Sequence, residues 1–419
     1  MKAACYRMTV ADVLRNMKDV TWKRSRALRL AAMFLAAGFG LAGGTGETVD
    51  RLAYAAPAAP QSTAPTFFDP NNGWRMEASR DPVHNLRGPL YVLRSRDGGR
   101  HWQRTGTIPH GLVEMQGMFG MRVSQLAFAT RMDGWAYGSG LYSTHDGGKS
   151  WKRLAIHGMT TTISIAGRSI WRLDSSCPQG TCTDRWYAAA AGSDTWLTHA
   201  LPRGGATFVR INPTHAYLIA LLHPGRNVKQ TLMRTVDGGA TWTRLPDPCP
   251  PGSAPPMLAS FGFEHLWTLC AWGSSAGAET KTVYRSDDAG GSWRLVSASG
   301  VRYPLHNLTA AGYAVSLALT SANSAWLALG RGTLLHTADG GQTWAPAVPY
   351  AQANPLDGGV GPVMFVDRLH GWLFSFPDLL FRTVDGGKHW SEIHLGGTFV
   401  MRAEAVPSDN ERAIATGRA

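Results

Sequence analysis

The sequence predicts an all-β chain, a seven-bladed β-propeller of four-stranded antiparallel blades. Three observations lead there. The pattern [ST]-x-D-[GA]-G-x-x-W occurs six times: SRDGGRHW at 95–102, THDGGKSW at 144–151, TVDGGATW at 235–242, SDDAGGSW at 286–293, TADGGQTW at 337–344 and TVDGGKHW at 383–390. The closing residues Trp102, Trp151, Trp242, Trp293, Trp344 and Trp390 are spaced by 49, 91, 51, 51 and 46, so the long gap hides another copy. A second piece precedes the hairpins, an apolar residue followed by a polar turn, a small residue and an aromatic: FFDPNNGW at 67–74, FATRMDGW at 128–135 and FVDRLHGW at 365–372, with looser forms at 261–267, 319–326 and 211–217. Each repeat therefore reads strand, turn, strand, connector, strand, Asp-Gly hairpin, strand, and repeats of this length stacked around an axis make a propeller.

The hairpin has a physical rationale. Asp-Gly between apolar runs is a strong short-range turn signal. The carboxylate accepts from backbone N–H groups downstream, as in Asx turns, and the glycines take up positive φ. The Ser or Thr two residues earlier ties the incoming strand to the turn, and the Trp packs beneath it. Asp97, Asp146, Asp237, Asp288, Asp339 and Asp385 are thereby read as structural. The hidden copy is YAAAAGSDTW at 187–196, which keeps Trp196 but has Ala191 where the others have Asp. Residues 401–418 look like the start of a further module. They are expected to close the ring by pairing into the first blade; an incomplete eighth blade is the alternative.

Residues 30–44 (LAAMFLAAGFGLAGG) are apolar and uncharged, follow a basic stretch, and precede Ala53-Tyr54-Ala55. Segment 1–55 is thus expected to be an export signal or an N-terminal membrane anchor, which places the remainder outside the cytoplasm. Residues 56–65 read as a Pro/Ala linker, and 66–419 as the propeller. The formal charge is +12; beyond residue 56 lie 32 of the 41 basic and 25 of the 29 acidic residues. That modest surplus suits an anionic surface or acidic partner. With no Lys/Arg block and no recognition motif, nucleic acid is excluded as a partner.

The repeat resembles the Asp box, or bacterial neuraminidase repeat, of sialidases, xyloglucan-type glycosidases, sortilin-type receptors and the photosystem II stability/assembly factor family. Seven evenly spaced copies, the export signal and the recurring Gly-Trp strand look most like the last group. That resemblance implies a non-enzymatic scaffold that escorts membrane-protein assembly, without implying photosynthesis. A glycoside hydrolase acting on extracellular glycans is the alternative, since the turn is shared by enzymes and binders.

Function is expected on the face opposite the hairpins, where irregular loops sit on a rigid scaffold. Its connectors are 77–89, 174–185, 223–230 and 271–281, with links 246–256 and 348–362. They supply the candidate binding residues Arg80, His84, Arg87, His223, Arg226, Lys229, Trp272, Arg302 and Tyr303. Arginine suits carboxylate or phosphate, and Trp or Tyr anchors protein interfaces. The expected partner is an envelope or membrane protein or a surface glycan, bound by a monomer that touches the membrane only through an uncleaved N-terminus. Four cysteines follow the apolar run, an even number in an exported chain; the expected disulfides are Cys177–Cys182 and Cys249–Cys270. A hydrolase needs a carboxyl pair. The acids left once the repeat is subtracted are Asp133, Glu264 and Asp367 at the hairpins and Glu77, Asp81, Asp174, Asp184, Glu279 and Asp357 in the connectors, each expected to be a solvated loop acid. No catalytic residue, cofactor or metal site is expected.

Overall fold

The computed structural model describes residues 61–399 apart from 79–88, 116–117, 122, 177–182, 202–206, 223–228, 301–304, 306, 348–359, 376–378 and 397. Seven antiparallel sheets follow one another as the blades of a propeller. Blade 1 has an interrupted inner strand, Gln61–Ser62 and Thr66–Phe67, then Gly73–Ala78, Leu90–Ser95 and Gln103–Ile108. Blade 2 is Val123–Phe128, Gly134–Gly138, Leu141–Thr144 and Lys152–Arg153; blade 3 is Met159–Ala166, Ser169–Ser176, Thr183–Ala190 and Leu197–His199. Blade 4 runs Thr207–Arg210, Ala216–Leu222, Lys229–Thr235 and Thr243–Arg244, and blade 5 Met257–Phe261, His265–Ser275, Ala278–Ser286 and Arg294–Ala298. Blade 6 is Ala314–Leu319, Ala325–Leu329, Thr333–Thr337 and Ala345–Pro346; blade 7 is Val360–Phe365, Gly371–Ser375, Leu379–Thr383 and Ser391–His394.

A single blade buries neither of its faces, so the apolar residues must meet across seams. Seven clusters of buried residues do this, one at each boundary between neighbouring blades, including the boundary between blades 7 and 1. The two recurring sequence pieces supply the contact. Trp74, on the second strand of blade 1, stacks on Phe128 of blade 2 at 3.8 Å, and its Nε1 donates to the Gly147 carbonyl at 3.0 Å. Trp372 of blade 7 repeats this on Phe67 of blade 1, at 3.9 Å with Nε1 donating to Gly98 O at 2.9 Å. The glycine before each Trp is required: a Cβ at Gly73, Gly134 or Gly371 would stand 2.5 Å from the ring of Phe67, Phe128 or Phe365.

Blade 4 departs from the pattern. Arg210 occupies the place that Phe128 holds in blade 2, seven residues before the aromatic of the second strand. Its guanidinium lies 4.1 Å from the Trp171 ring and donates to the carbonyls of Ser169 and Pro213. Fully buried, it replaces an aromatic stack by a cation–π stack.

Ring closure uses both ends of the described chain. Thr398–Phe399 pairs in parallel with Gln61–Ser62, while Ser62 pairs antiparallel with Glu77. The Arg75 guanidinium donates to Leu395 O at 3.0 Å across the same seam. The inner strand of blade 1 thus begins at Gln61, and Thr63 N–H bonds Met76 O at 2.8 Å, so the second half of the stretch read as a linker belongs to the sheet. The tail 401–418 lies outside the described residues.

Candidate functional site

Every blade presents two hairpin turns on one face and its connector and link on the other. The hairpin face is uniform. In all six Asp-Gly turns the Ser or Thr hydroxyl donates to the Asp carboxylate and accepts from the second turn glycine, as Thr235 does with Asp237 (2.7 Å) and Gly239 (2.9 Å). The carboxylate also accepts the N–H four residues on, from His101, Ser150, Thr241, Ser292, Thr343 and His389. Hydrogen bonds that favour the ionised form lower a pKa. The Thr241, Ser292 and Thr343 hydroxyls and N–H groups hold Asp237, Asp288 and Asp339 down at about 2. For Asp97 and Asp146 partial burial pulls upward, but bonds from His101 and Ser95, and from Ser150, Thr144 and Lys149, prevail, again at about 2. Asp385 is held lower still, first by the His389 N–H. These carboxylates are consumed by their own turns.

A second device on this face went unnoticed in the sequence. The residue before the Ser or Thr is Arg94, Arg234, Arg285 or Arg382 in four blades and His336 in another. Each pairs across the ladder with the aromatic of the second strand: Trp74, Tyr217, Trp267, Trp372 and Trp326. Three of the arginines reach into the next blade: Arg234 donates to Ala289 O, Arg285 to Asn323 Oδ1 and Arg382 to Pro70 O. The extended signal [RH]-[ST]-x-D would have found them. Blade 2 has Ser143 there instead. Its seam is closed by His145, whose ring lies 2.9 Å from Asp133 of its own blade and 3.2 Å from Asp194 of blade 3, with Lys152 also on Asp194. Burial pulls the His145 pKa down, but the two aspartates outweigh it and the value is raised.

The sequence-predicted binding residues were expected on the loop face. Arg80, His84, Arg87, His223, Arg226, Arg302, Tyr303, Cys177 and Cys182 lie outside the described residues. Lys229 opens the third strand of blade 4. Trp272 is not on a loop: the ladder of blade 5 continues through Ala271–Lys281 and Trp272–Thr280 to a tight turn at Ala276 and Gly277, both at positive φ. Cys249 and Cys270 form a disulfide with Cα atoms 5.5 Å apart, pinning the link before blade 5 to its second strand.

Two acids expected in solvated loops are buried in strands. Asp174 is 0% exposed; it pairs with Arg172 at 3.0 Å and accepts from the Thr160 hydroxyl at 2.8 Å and His157 N–H at 3.1 Å. Burial raises its pKa despite Arg172. The Arg172 guanidinium lies between the Tyr187 and Trp196 rings, 4.2 and 4.7 Å away. Glu279 is buried and accepts the Ala314 N–H of blade 6. Beside it the Lys281 ammonium donates to Glu279 O and Ala310 O, and burial pushes its pKa down to about 8 against the pull of Glu279. The sequence missed this because alternating charges in a polar stretch read as loop. Of the other acids, Glu77 faces Arg75 at 3.5 Å and Asp367 caps its own turn through Leu369 and His370 N–H. Asp184 stands opposite Ser175 in the blade 3 ladder. Asp81 and Asp357 lie outside the described residues. Among the described residues no group of three or more His, Cys, Asp or Glu is placed to hold a metal.

Residues 298–399, which span blades 6 and 7, match the family model described as Photosynthesis system II assembly factor YCF48. A curated relative, the chloroplastic photosystem II stability/assembly factor HCF136 of Arabidopsis thaliana, is 36% identical over 66 residues. That stretch is 16% of either chain, so about a sixth of the relative is spanned. Among solved structures, YCF48 from Cyanidioschyzon merolae is 16% identical, with 79% of this chain and 95% of that one covered and a TM-score of 0.50, a likeness of fold. A YCF48 bound to a D1 peptide is 16% identical over 64% of this chain and 80% of that one, with a TM-score of 0.45. Repeat and blade count make the chain a seven-bladed β-propeller, and its blades 6 and 7 are similar to the photosystem II assembly factors.

Proposed function

We propose that this chain is an exported, non-enzymatic scaffold that binds an envelope or membrane protein through its loop face during that protein's assembly. The observation that carries the reading is the match of blades 6 and 7 to an assembly-factor family. Five of the candidate acids support it. A glycoside hydrolase needs two carboxyl groups free to flank a bond, whereas Asp174, Glu279, Glu77, Asp133 and Asp367 are each engaged by a named partner. The hairpin face is closed by repeated turns, which leaves the connectors as the surface that varies between blades. The sequence of the connectors carries Arg80, Arg87, Arg226 and Lys229, a charge suited to acidic segments of a client.

The test is proximity crosslinking and affinity capture of the full-length protein from its own cell envelope. Recovery of one abundant membrane protein supports the scaffold reading. Recovery of polysaccharide without protein, together with turnover in a glycan activity screen, replaces it with the hydrolase reading.

A further inference from the structure

The four arginines of the hairpin face share one seat. Each lies against the residue that follows the turn Asp of the next blade. Arg234 donates to Ala289 O at 3.2 Å. A Cβ added at Gly147, Gly340 or Gly98 would collide with the guanidinium of Arg94, Arg285 or Arg382. Arg94 also stacks 4.7 Å over Trp74, its partner across the ladder.

The seam between blades 2 and 3 has the seat but not the arginine. Ser143 stands at the arginine position, opposite Trp135. The residue that would carry the guanidinium is Gly192, four before Trp196 as Gly147 is four before Trp151. Two carboxylates border it. Asp133 Oδ1 would stand 3.5 Å from a Cβ on Gly192, and Asp194 lies two residues along the same turn. The His145 ring sits between them, Nδ1 at 2.9 Å from Asp133 and Nε2 at 3.2 Å from Asp194. Lys152 meets Asp194 from the rim at 2.9 Å, and the Thr130 hydroxyl donates to Asp133 at 2.8 Å.

The ring is a poorer occupant than a guanidinium. To serve two ionised carboxylates both ring nitrogens must carry protons, and a neutral imidazole carries one. A guanidinium has five donors in a fixed fork and stays charged. Ser143 is 1% exposed, and its Oγ makes no hydrogen bond of ordinary length. Burial opposes it, yet the nearby Ser143 hydroxyl, Lys152 and His145 hold the Asp194 carboxyl below its usual range. Ser143, His145, Trp151 and Lys152 line an open cleft of about 280 Å³. The His145 side chain is 38% exposed, so it has solvent to turn into.

We propose that this seat takes the guanidinium of an arginine side chain from a protein partner, held between Asp133 and Asp194 with Ser143 Oγ as a further acceptor, while His145 turns outward. The site lies on the face opposite the connectors, so it goes beyond the scaffold reading as a second docking point. The charged groups facing the ring are Asp133, Asp194, Lys152 and, one residue along, Asp146. Histidine is the side chain among these types that titrates near neutral pH. Rising pH therefore weakens the ring as a competitor and favours the guanidinium.

The probe is N-acetyl-arginine amide, with N-acetyl-lysine amide as its control. Each is titrated into the full-length protein and followed by calorimetry and by the nuclear magnetic resonance signals of the His145 ring. At about pH 8 the arginine probe is expected to displace the ring and to bind on the order of tenfold more tightly than the lysine probe, which lacks the fork. At about pH 5.5, with the ring charged, its affinity should fall about tenfold. Ser143→Arg restores the arginine of the other blades, so it should keep or raise Tm and abolish probe binding. Asp194→Asn should weaken binding about tenfold, and it decides alone if Ser143→Arg does not fold. Equal affinity for the two probes, a ring that does not respond, or undiminished binding by either variant overturns the proposal. Client capture through the connectors uses none of these residues, so its failure and the failure of this site are separate outcomes.

Discussion

Replacing Trp372 by Ala opens the ring where its two ends meet. The side chain is 1% exposed, stacks on Phe67 at 3.9 Å and 5°, and donates to Gly98 O at 2.9 Å. Truncating a buried Trp costs about 3–5 kcal/mol in lost burial and cavity, and the Gly98 carbonyl loses its donor, about 1–3 kcal/mol more where water cannot reach it. Trp372→Phe keeps the stack and loses only the donor, so it should cost about 1–3 kcal/mol. With roughly 340 residues unfolding at about 2.1 cal/mol/K each, 4 kcal/mol is a drop of about 6 °C in Tm. Urea titration followed by circular dichroism, with calorimetry alongside, reads both variants. Trp74→Ala is the internal control, because Trp74 makes the same contacts with Phe128 and Gly147 at a seam between consecutive blades. Equal losses for Trp372→Ala and Trp74→Ala mean that the closing seam is as tight as the others. A loss under about 1 kcal/mol for Trp372→Ala refutes the account of closure.

Other outcomes follow from the same geometry. Arg210→Ala should cost several times as much as Arg210→Phe, because Phe restores the stack made by Phe128, and well-packed apolar residues commonly replace buried charges without loss; denaturant midpoints of the two decide it. Ala289 has φ 58 at a turn position held by glycine in the other five copies, so Ala289→Gly should stabilise by about 1 kcal/mol. Serine at Cys249 and Cys270, or reduction of the wild type, removes a cross-link of sequence separation 21 and should cost about 3 kcal/mol. The turn aspartates, depressed in the fold, stabilise fully above their unfolded value of about 3.9 and lose that contribution as pH falls through about 2. His145, raised in the fold, contributes fully below about 6.5 and loses it as pH climbs past its folded value. Thermal scans from pH 2 to 9 should fall at both ends, and His145→Asn should flatten the alkaline side alone.

The repeat was legible because its turns are local. Asp, Gly and hydroxyl sit within five residues, so pattern and hydrogen bonds coincide, and even the degenerate copy at 187–196 folds as the third blade's hairpin. What crosses a seam was harder to read. The partners of Trp74 and Trp372 lie 54 and 305 residues away, and the arginines before the Ser or Thr of four blades were passed over because an Arg beside a turn resembles solvated charge. Arg210 hid in the slot of a Phe for the same reason. In the connectors, alternation of charged with apolar residues concealed strands: Asp174 and Glu279 are buried because Arg172 and the Ala314 N–H meet them there. The strands Leu112–Met115 and Met118–Met121, paired in the link between blades 1 and 2, were missed because they belong to no repeat.

The most direct test of the scaffold reading is envelope capture by wild type and by the combined variant Arg80→Ala, Arg87→Ala, Arg226→Ala and Lys229→Ala, each first shown to share one far-ultraviolet spectrum and one Tm. The account predicts that the wild type retains its membrane-protein partner and that the variant, equally folded, loses it. Equal capture by both proteins would contradict the assignment of the loop face.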